Sequence, residues 1–445
     1  MGMLVEWKKD MEELVGEKVF LVDEKTRDKL SKDYFWYSPV LDAELKNKVA
    51  DGVCKPSTEE EVAQILSFAY ERRIPITTRG AGTGNYGQAV PLEGGILLDL
   101  SQLNTIIEVG EGYADVQCGV KLGRLEKELR EKGQELCIYP STYVKATAGG
   151  FFSGGSGGIG SITWGSVWDG NIIEAVIYTL EAKPRRLVVS GEELDAYIHN
   201  YGTSGIMTQL KMRTAPKTEW EQVIVQFADM ENMLLFTEKL SKDPTIKKRL
   251  VSGAEPPISS YFTPLLNYYE EGSSVALLEV EEENLEEIKG LADEFQGSIV
   301  HVIDAEAYHK QMGLSDFTWN HTTLWALKYD PELTYLQCGF SNSHYLDQIQ
   351  NIKNKFPREV FIHVEWMLAN GEIRLGSLPI IQYKSKERLY EIIDYLESIG
   401  VSVNDPHTFL LPRDKNGYFE KILEKKKIND PLDLLNPGKL SMALK

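Results

Sequence analysis

The first of three glycine-rich segments places the strongest constraint on the fold of this 445-residue chain. It reads RGAGTGNYG over residues 79–87 and contains the spacing GxGxxG, which is typical of a Rossmann dinucleotide-binding turn. A Rossmann turn needs a helix that opens on these glycines, but Pro91, Gly94 and Gly95 follow too closely for a helix. Residues 73–78 form a short apolar, β-branched run that predicts a strand before the glycines. Residues 96–100, which are apolar apart from Asp99, predict a buried strand after them. Two strands therefore flank a glycine loop, and the Rossmann interpretation is excluded.

A glycine loop between two strands has two physical interpretations. Its backbone N–H groups converge on an anion such as a phosphate, or the loop is a flexible surface hairpin. The second glycine-rich segment, residues 147–165, also carries Phe151, Phe152 and Trp164, which low-complexity linkers lack. The third, residues 200–208, leads into a predicted strand over residues 208–213. Three such segments among alternating helices and strands indicate one extended ligand.

The order of short motifs along the chain carries a resemblance to a known group of proteins. The motifs are KPSTE at 55–59, RGAGTGNYGQAVP at 79–91, LDLS at 98–101, PST at 140–142, TAGG at 147–150, GG at 157–158, WG at 164–165, GIMT at 205–208, DP at 430–431 and LNPGK at 435–439. In this order they resemble the flavoproteins of the vanillyl-alcohol oxidase and p-cresol methylhydroxylase type. The resemblance is strongest to the branch of glycolate oxidase D subunits and D-lactate dehydrogenases.

The resemblance implies an α+β fold with a two-part FAD-binding domain of the p-cresol methylhydroxylase type. An α+β cap domain would place an antiparallel sheet over the flavin. We expect an N-terminal helical arm over residues 1–47, the FAD-binding domain over 48–218, the substrate (cap) domain over 219–400, and a C-terminal segment, 401–445, that returns to the FAD-binding domain.

The resemblance also implies how the cofactor is held. Relatives with covalently attached flavin carry a histidine where this chain has Thr83, so we expect non-covalently bound FAD. The residues expected to contact FAD are Arg79, Gly80, Ala81, Gly82, Thr83, Gly84, Asn85, Pro140, Ser141, Thr142, Thr147, Gly149, Gly150, Ser153, Gly157, Gly158, Gly160, Trp164, Gly205, Ile206, Asn436 and Lys439.

Two departures from the pattern concern the substrate. The third glycine-rich segment, residues 200–208, lacks an acidic residue that is usual in relatives. The metal-binding histidine motifs of the D-lactate and 2-hydroxyglutarate branch have no counterpart after residue 220. We therefore expect no metal. A 2-hydroxy acid such as glycolate or D-lactate is the first expectation, with a sugar, polyol or aldonolactone as the alternative. A flavin-carrying electron-transfer subunit of a larger dehydrogenase complex is the alternative from a different class.

Composition restricts the partners and the compartment. There are 48 Lys and Arg residues against 67 Asp and Glu, a formal net charge of −19, which argues against nucleic acid as a partner. The four cysteines show no CxxC spacing, and the N-terminus has no signal-peptide core. We expect a cytoplasmic protein, with peripheral docking to a membrane complex as the open alternative. Its partners would be a small-molecule substrate, an electron acceptor (oxygen, a quinone or a protein) and either a second copy or a partner subunit.

The two faces of one hairpin in the predicted cap can be predicted from the alternation of its side chains. Asn370 and Gly371 form a turn signal between two predicted strands, residues 361–369 and 372–380. Alternation places one set of side chains on an apolar face and a second set on a polar face. The apolar set is Ile362, Val364, Trp366, Leu368, Ile373 and Leu375, and the polar set is His363, Glu365, Met367 and Arg374. The polar face either meets solvent with Glu365 and Arg374 paired, or it covers the active site.

Three histidines are the candidates for a catalytic base: His321, His363 and His407. In flavin dehydrogenases of the type resembled here, a hydride leaves the carbinol carbon while a base takes the hydroxyl proton. A histidine suits that role near neutral pH. We prefer His321 because Asn320 and Thr322 flank it. Asn320, Glu365, Arg374 and Arg413 are the expected substrate contacts, and a substrate carboxylate would need Arg374, Arg413 or Lys439.

Overall fold

The computed structural model describes residues 2–308, 312–413 and 416–440, and the chain alternates helices and strands throughout. The first eight helices are α1 (Gly2–Val15), α2 (Glu24–Leu30), α3 (Pro39–Leu45), α4 (Glu59–Arg72), α5 (Leu122–Glu131), α6 (Ala148–Gly154), α7 (Ser161–Trp164) and α8 (Met230–Lys242). The remaining seven are α9 (Ile258–Tyr261), α10 (Leu285–Glu294), α11 (Ala305–Tyr308), α12 (Asn320–Tyr329), α13 (Tyr345–Lys355), α14 (Lys386–Ser398) and α15 (Tyr418–Asn429).

The first sheet presents the loop that contains the first glycine-rich segment. Its strands are β1 (Phe20–Leu21), β2 (Gly52–Cys54), β3 (Ile76–Arg79) and β4 (Ile96–Asp99), in the spatial order β1-β2-β4-β3. Strands β2 and β3 both pair in parallel with β4, whereas β1 pairs antiparallel with β2. The segment predicted as a helical arm therefore also supplies a strand, because Phe20 packs into the same core as β3 and β4.

The second sheet presents the other two glycine-rich segments. Its strands are β5 (Ile106–Gly110), β6 (Tyr113–Gln117), β7 (Gln134–Leu136), β8 (Ile172–Tyr178), β9 (Arg186–Ser190) and β10 (Ile206–Pro216). The order is β5-β6-β10-β8-β9, and β7 pairs with the end of β10. One hydrophobic core, which includes Leu98, Phe152 and Ile206, joins this sheet to the first one.

The strands after residue 219 form two further sheets. They are β11 (Trp220–Phe227), β12 (Lys248–Ala254), β13 (Ser274–Glu281), β14 (Ser298–Ile303), β15 (Leu333–Tyr335), β16 (Gln337–Gly339), β17 (Val360–Phe361), β18 (His363–Ala369), β19 (Glu372–Ser377), β20 (Ile380–Gln382) and β21 (Ser402–Asn404). Eight of them form an antiparallel sheet in the order β14-β11-β13-β12-β18-β19-β16-β21, and the three-stranded sheet is β15-β20-β17. We call the eight-stranded sheet the cap sheet.

A network of buried charges lies where the cap sheet meets the second sheet. Arg249 on β12 donates from Nε to Glu279 on β13 at 2.7 Å, and its guanidinium lies 3.6 Å from Glu135 on β7. Trp220 donates from its indole N–H to the same Glu135 at 3.1 Å. Arg130 adds a contact to Glu135 at 2.9 Å. Two arginines thus neutralise the buried carboxylates that join the two sheets.

Within the described residues, no helix has both the length and the apolar character needed to cross a membrane.

Candidate functional site

One cavity is lined by all three glycine-rich segments and by one face of the cap sheet. From the first segment and its surroundings it receives Thr78, Arg79, Gly80, Ala81, Gly82, Thr83, Gly84, Asn85, Tyr86 and Gln88. From the second it receives Pro140, Ser141, Thr142, Thr147, Gly149, Gly150, Ser153 and Gly157, and from the third His199, Tyr201, Gly202, Gly205 and Ile206. Trp319, Asn320, Gln337, Cys338, Glu365, Met367, Gly376, Ser377 and Leu378 close it from the cap side. The single extended ligand expected from the sequence thus has one continuous cavity.

The first glycine loop is held from behind by the side chain of Arg79. Its guanidinium donates to the carbonyl oxygens of Leu30 and Lys32, each at 2.6 Å, and to that of Ala81 at 3.2 Å. Gly82 has φ +66°, and a Cβ there would collide with this guanidinium. Only glycine fits such a position, so the loop keeps its backbone open toward the cavity.

The C-terminal motif supports the loops from outside the cavity lining. Asn436 donates from Nδ2 to the carbonyl oxygens of Gln88, at 2.8 Å, and Tyr201, at 2.7 Å. Lys439 donates to the carbonyl oxygen of Gly87 at 2.5 Å. Both side chains were predicted to contact the cofactor, but among the described residues neither lines the cavity. They hold the first and third glycine segments together.

A buried acid beside this motif also reaches the cavity. Asp33 accepts from the backbone N–H of Phe35 at 3.0 Å and lies beside Lys439. Burial raises the pKa of Asp33 to about 6, against the opposing charge of Lys439. Burial likewise lowers the pKa of Lys439 to about 7. No sequence pattern points to Asp33, because it lies outside all of the motifs along the chain.

The second glycine segment contains two short helices that the sequence analysis missed. Thr147 caps α6 by accepting from the backbone N–H of Gly150 at 3.3 Å, and the first turn of α6 lines the cavity. Gly158, Gly160 and Trp164 were predicted cofactor contacts, yet they lie outside the lining. A Cβ at Gly158 or Gly160 would meet backbone of residues 137–140, and Trp164 packs edge-on against Trp220. These three residues fix the segment against the rest of the protein.

Glu365 is the only carboxylate that the described part of the cap sheet contributes to the cavity. Its Oε1 accepts from the backbone N–H of Trp319 at 2.6 Å and from the Ser252 hydroxyl at 3.0 Å, and His363 Nε2 lies 3.0 Å away. Its Oε2 is buried and has no hydrogen-bond partner among the residues that the structure describes. A buried acceptor without a partner is costly unless a ligand satisfies it.

Trp319 holds a strained backbone next to this carboxylate. Its φ is +52° and ψ is −138°, a conformation that non-glycine residues rarely adopt. Glu365 accepts a hydrogen bond from the Trp319 backbone N–H, and the Trp319 ring lies 3.2 Å from the position that a Cβ at Gly157 would take. Strain of this kind persists where the surrounding structure enforces it, often at functional sites. The sequence shows no pattern from which this conformation could be predicted.

The three candidate histidines lie outside the cavity lining. His363 is fully buried, and its Nε2 lies between Glu365, Ser252 at 3.2 Å and Thr322 at 3.1 Å. His407 is buried between the Ser38 hydroxyl, at 2.7 Å, and the Tyr335 carbonyl oxygen, at 2.8 Å, and it does not line the cavity.

The preferred candidate, His321, lies in the first turn of α12 but does not reach the cavity. Its Nδ1 lies 3.7 Å from Asp316. Burial, with smaller effects of Lys328 and Lys145, lowers the pKa of His321 to about 4. Thr322, expected to orient it, donates instead to the Phe317 carbonyl oxygen at 2.7 Å.

The hairpin has the two faces that its period predicts. Val364, Trp366 and Leu375 lie in the hydrophobic core, whereas Glu365 and Met367 line the cavity. The solvent alternative, with Glu365 paired to Arg374, is wrong. Arg374 is half exposed and pairs with Glu372 at 3.1 Å.

The other two expected substrate contacts differ in position. Asn320 lines the cavity, and its Oδ1 is buried without a partner. The Arg413 guanidinium lies over the Phe419 ring, 5.1 Å from its centroid, and not at the cavity. Gln337 and Tyr86, which hydrogen-bond each other across the cavity, were missed because neither belongs to a recognisable chemical motif.

Comparison with known proteins identifies the cofactor. A family profile described as an FAD binding domain matches residues 50–178. This chain carries an FAD-binding domain. The flavoprotein also resembles the solved structure of an alkyldihydroxyacetonephosphate synthase, with 14% sequence identity and a TM-score of 0.74. The match covers 97% of this chain and 84% of the synthase chain. The expected fold of the p-cresol methylhydroxylase type is confirmed.

The sequence relatives of the flavoprotein are named as an oxidoreductase, an oxidase subunit and a dehydrogenase. An uncharacterized FAD-linked oxidoreductase of Mycobacterium tuberculosis is 28% identical over 64% of the chain and 58% of its own length. Glycolate oxidase subunit GlcD of Bacillus subtilis is 30% identical over 39% of each chain. D-lactate dehydrogenase of Archaeoglobus fulgidus is 30% identical over 41% of this chain and 43% of its own. The chain thus spans little more than half of the first relative's length.

The residues of the cavity fit FAD. Gly80, Gly82 and Gly149 line it, and a Cβ at each would collide with the side chains of Thr147, Arg79 and Cys118. Glycine at these positions presents bare backbone, which suits a flat, extended ligand. Thr83 lines the cavity at the position where covalent relatives carry histidine, and non-covalent attachment stays a prediction. Cys118 and Cys338 also reach the lining, and burial raises the pKa of both thiols. Across the ranges described, there is no cluster of three or more His, Cys, Asp or Glu side chains arranged for a metal.

Proposed function

We propose that this flavoprotein is an oxidoreductase that oxidises the carbinol carbon of a small hydroxylated molecule. One observation carries the proposal: the buried carboxylate of Glu365 lines the same cavity as the glycine segments of the FAD-binding domain. The names of the relatives, FAD-linked oxidoreductase and D-lactate dehydrogenase, support the same class of reaction. Bound FAD would supply the acceptor for the two electrons.

In this proposal Glu365 takes the hydroxyl proton of the substrate. Its Oε2 has no protein partner, whereas Oε1 is fixed by Trp319, Ser252 and His363. A carboxylate fixed through one oxygen presents the other in a constant direction, which favours proton transfer. His363 acts as a positioning residue, because its ring contacts Glu365 and does not line the cavity.

The substrate belongs to one of two classes. A 2-hydroxy acid such as glycolate or D-lactate is suggested by the names of two relatives, and a sugar, polyol or aldonolactone is the alternative. The electron acceptor would be oxygen, a quinone or a protein partner. The word subunit in the name of one relative supports the further alternative of an electron-transfer subunit in a larger complex.

Anaerobic bleaching of the bound flavin tests the proposed reaction. The FAD-loaded protein is mixed without oxygen with a panel of 2-hydroxy acids, sugars and polyols, each with its deoxy counterpart as control. We expect at least one hydroxylated compound to bleach the flavin and its deoxy counterpart to leave the spectrum unchanged. If the whole panel leaves the flavin oxidised, the proposed oxidation is wrong and the electron-transfer alternative gains support.

A further inference from the structure

The charges of the cavity are distributed unevenly between its two ends. Among the described lining residues, the acidic and basic side chains other than histidine are Asp33, Arg79 and Glu365. Asp33 and Arg79 lie at the first glycine loop, and Glu365 lies on the cap sheet. The cap end therefore combines a carboxylate with no lysine or arginine from the part of the chain that the structure describes.

Arg79 is unavailable to a substrate because of its own contacts. Its guanidinium donates to three backbone carbonyl oxygens, and its charge faces the carboxylates of Asp33 and Asp99. A substrate anion would have to break these bonds in order to use it.

Three further cations also lie outside the lining. Arg374 pairs with Glu372, and both are largely exposed. Lys328 lies over the Trp325 ring, 4.0 Å from its centroid. Lys145 is exposed to solvent. None of these three side chains lines the cavity.

The polar atoms left without partners at the cap end match hydroxyl groups. Asn320 Oδ1 and Glu365 Oε2 are acceptors, and the indole N–H of Trp319 is a donor. All three residues line the cavity. A hydroxyl group both donates and accepts, so neighbouring hydroxyls can satisfy such a mixed set, whereas a carboxylate would only accept. A carboxylate next to Glu365 would also add a like charge in a buried site.

We propose that the cap end of the cavity binds an uncharged molecule with two or more hydroxyl groups and discriminates against carboxylate anions. This inference rests on the proposed oxidation of a CH–OH carbon, and it selects polyols and sugars over 2-hydroxy acids. Glu365 is the residue that sets the charge preference, since it combines the only cap-end charge among the described lining residues with an unsatisfied oxygen.

Binding of matched compounds tests the inference without turnover. Dissociation constants are measured for glycerol against glycerate, propane-1,2-diol against lactate, and sorbitol against gluconate, through flavin difference spectra and thermal shift of FAD-loaded protein. 1-Amino-2-propanol is the cationic member. We expect each neutral compound to bind at least ~10-fold more tightly than its acid. We also expect Glu365→Gln to bring that ratio toward one.

The control is Glu372→Gln, which removes the same charge from the exposed end of the same hairpin and should leave the ratio unchanged. Tighter binding of the acids or of the amine, an unchanged ratio in Glu365→Gln, or no binding by any pair would overturn the inference. Neutral compounds that bind but never bleach the flavin would leave the inference standing and count against the proposed oxidation.

Discussion

At the scale of single residues, the site depends on side chains that the chain brings together from distant positions. Ser252, Trp319, His363 and Glu365 meet around one carboxylate oxygen. The strand alternation predicts that His363 and Glu365 share one face of a strand. The structure adds Ser252 and Trp319, which donate hydrogen bonds to Glu365. Glu365 becomes the preferred base because it lines the cavity, whereas His321 does not.

The buried His321 makes the stability of the protein depend on pH. Its pKa falls from 6.5 in the unfolded chain to about 4 when folded, chiefly through burial. The contribution of this lowered pKa to the free energy of unfolding is fully present above pH 6.5 and is lost as the pH falls through about 4. As the pH falls from 6.5 to about 4, we expect the free energy of unfolding of the wild type to decrease by about 3 kcal/mol more than that of His321→Gln.

Urea denaturation at a series of pH values measures this difference. The matched control is His344→Gln, because His344 is exposed. Parallel pH profiles for the wild type and His321→Gln would contradict the burial of a neutral imidazole at this position.

At the scale of elements, regular periods predicted the structure well and glycine-rich or irregular segments did not. Helix α14, Lys386–Ser398, can be predicted from the sequence, since its apolar residues repeat at helical spacing and Ser385 caps it. The cap hairpin has its predicted faces because strand alternation admits one register when one face is buried. Helices α6 and α7 were missed because glycine has low helix propensity, and tertiary contacts decide their conformation.

The place of His407 shows a second limit of the sequence. Its position in the chain predicted a return toward the flavin, but Ser38 and Tyr335 bind both ring nitrogens in the interior. Ser38 lies 369 positions away along the chain. A contact of that separation depends on how several sheets pack, which no local pattern encodes.

The first glycine loop yields a prediction about cofactor retention. Gly82→Val should abolish FAD binding, because the backbone needs φ +66° and the new side chain would collide with Arg79. Gly112→Val is the control: Gly112 also has positive φ, at +76°, but a Cβ there meets open space. Both variants carry backbone strain of about 1–2 kcal/mol, so a difference between them isolates the loop.

The ratio of flavin to protein after gel filtration measures retention. Wild-type flavin content in Gly82→Val would show that this loop is not required for FAD.

At the scale of the whole molecule, the cavity exists because the cap sheet is fixed against the FAD-binding domain. The network of Glu135, Trp220, Arg249 and Glu279 joins β7 to the cap sheet through buried charge pairs. Gly160 donates from its backbone N–H to the Arg249 carbonyl oxygen at 2.9 Å, which ties the second glycine segment to β12. The same contacts that hold the two parts together thus position Glu365 opposite the cofactor loops.

The most direct test that Glu365 takes the hydroxyl proton of the substrate is the rate of anaerobic flavin reduction in Glu365→Gln. Stopped-flow reduction is followed with saturating amounts of the panel compound that bleaches the flavin fastest. We expect Glu365→Gln to slow reduction by about 10²- to 10⁴-fold, the usual effect of losing a general base, with an unchanged spectrum of the oxidised flavin. In His321→Ala and Glu372→Gln, the rate of flavin reduction should stay within a few-fold of the wild-type rate. A wild-type rate in Glu365→Gln, or a comparable loss in His321→Ala, would contradict the account.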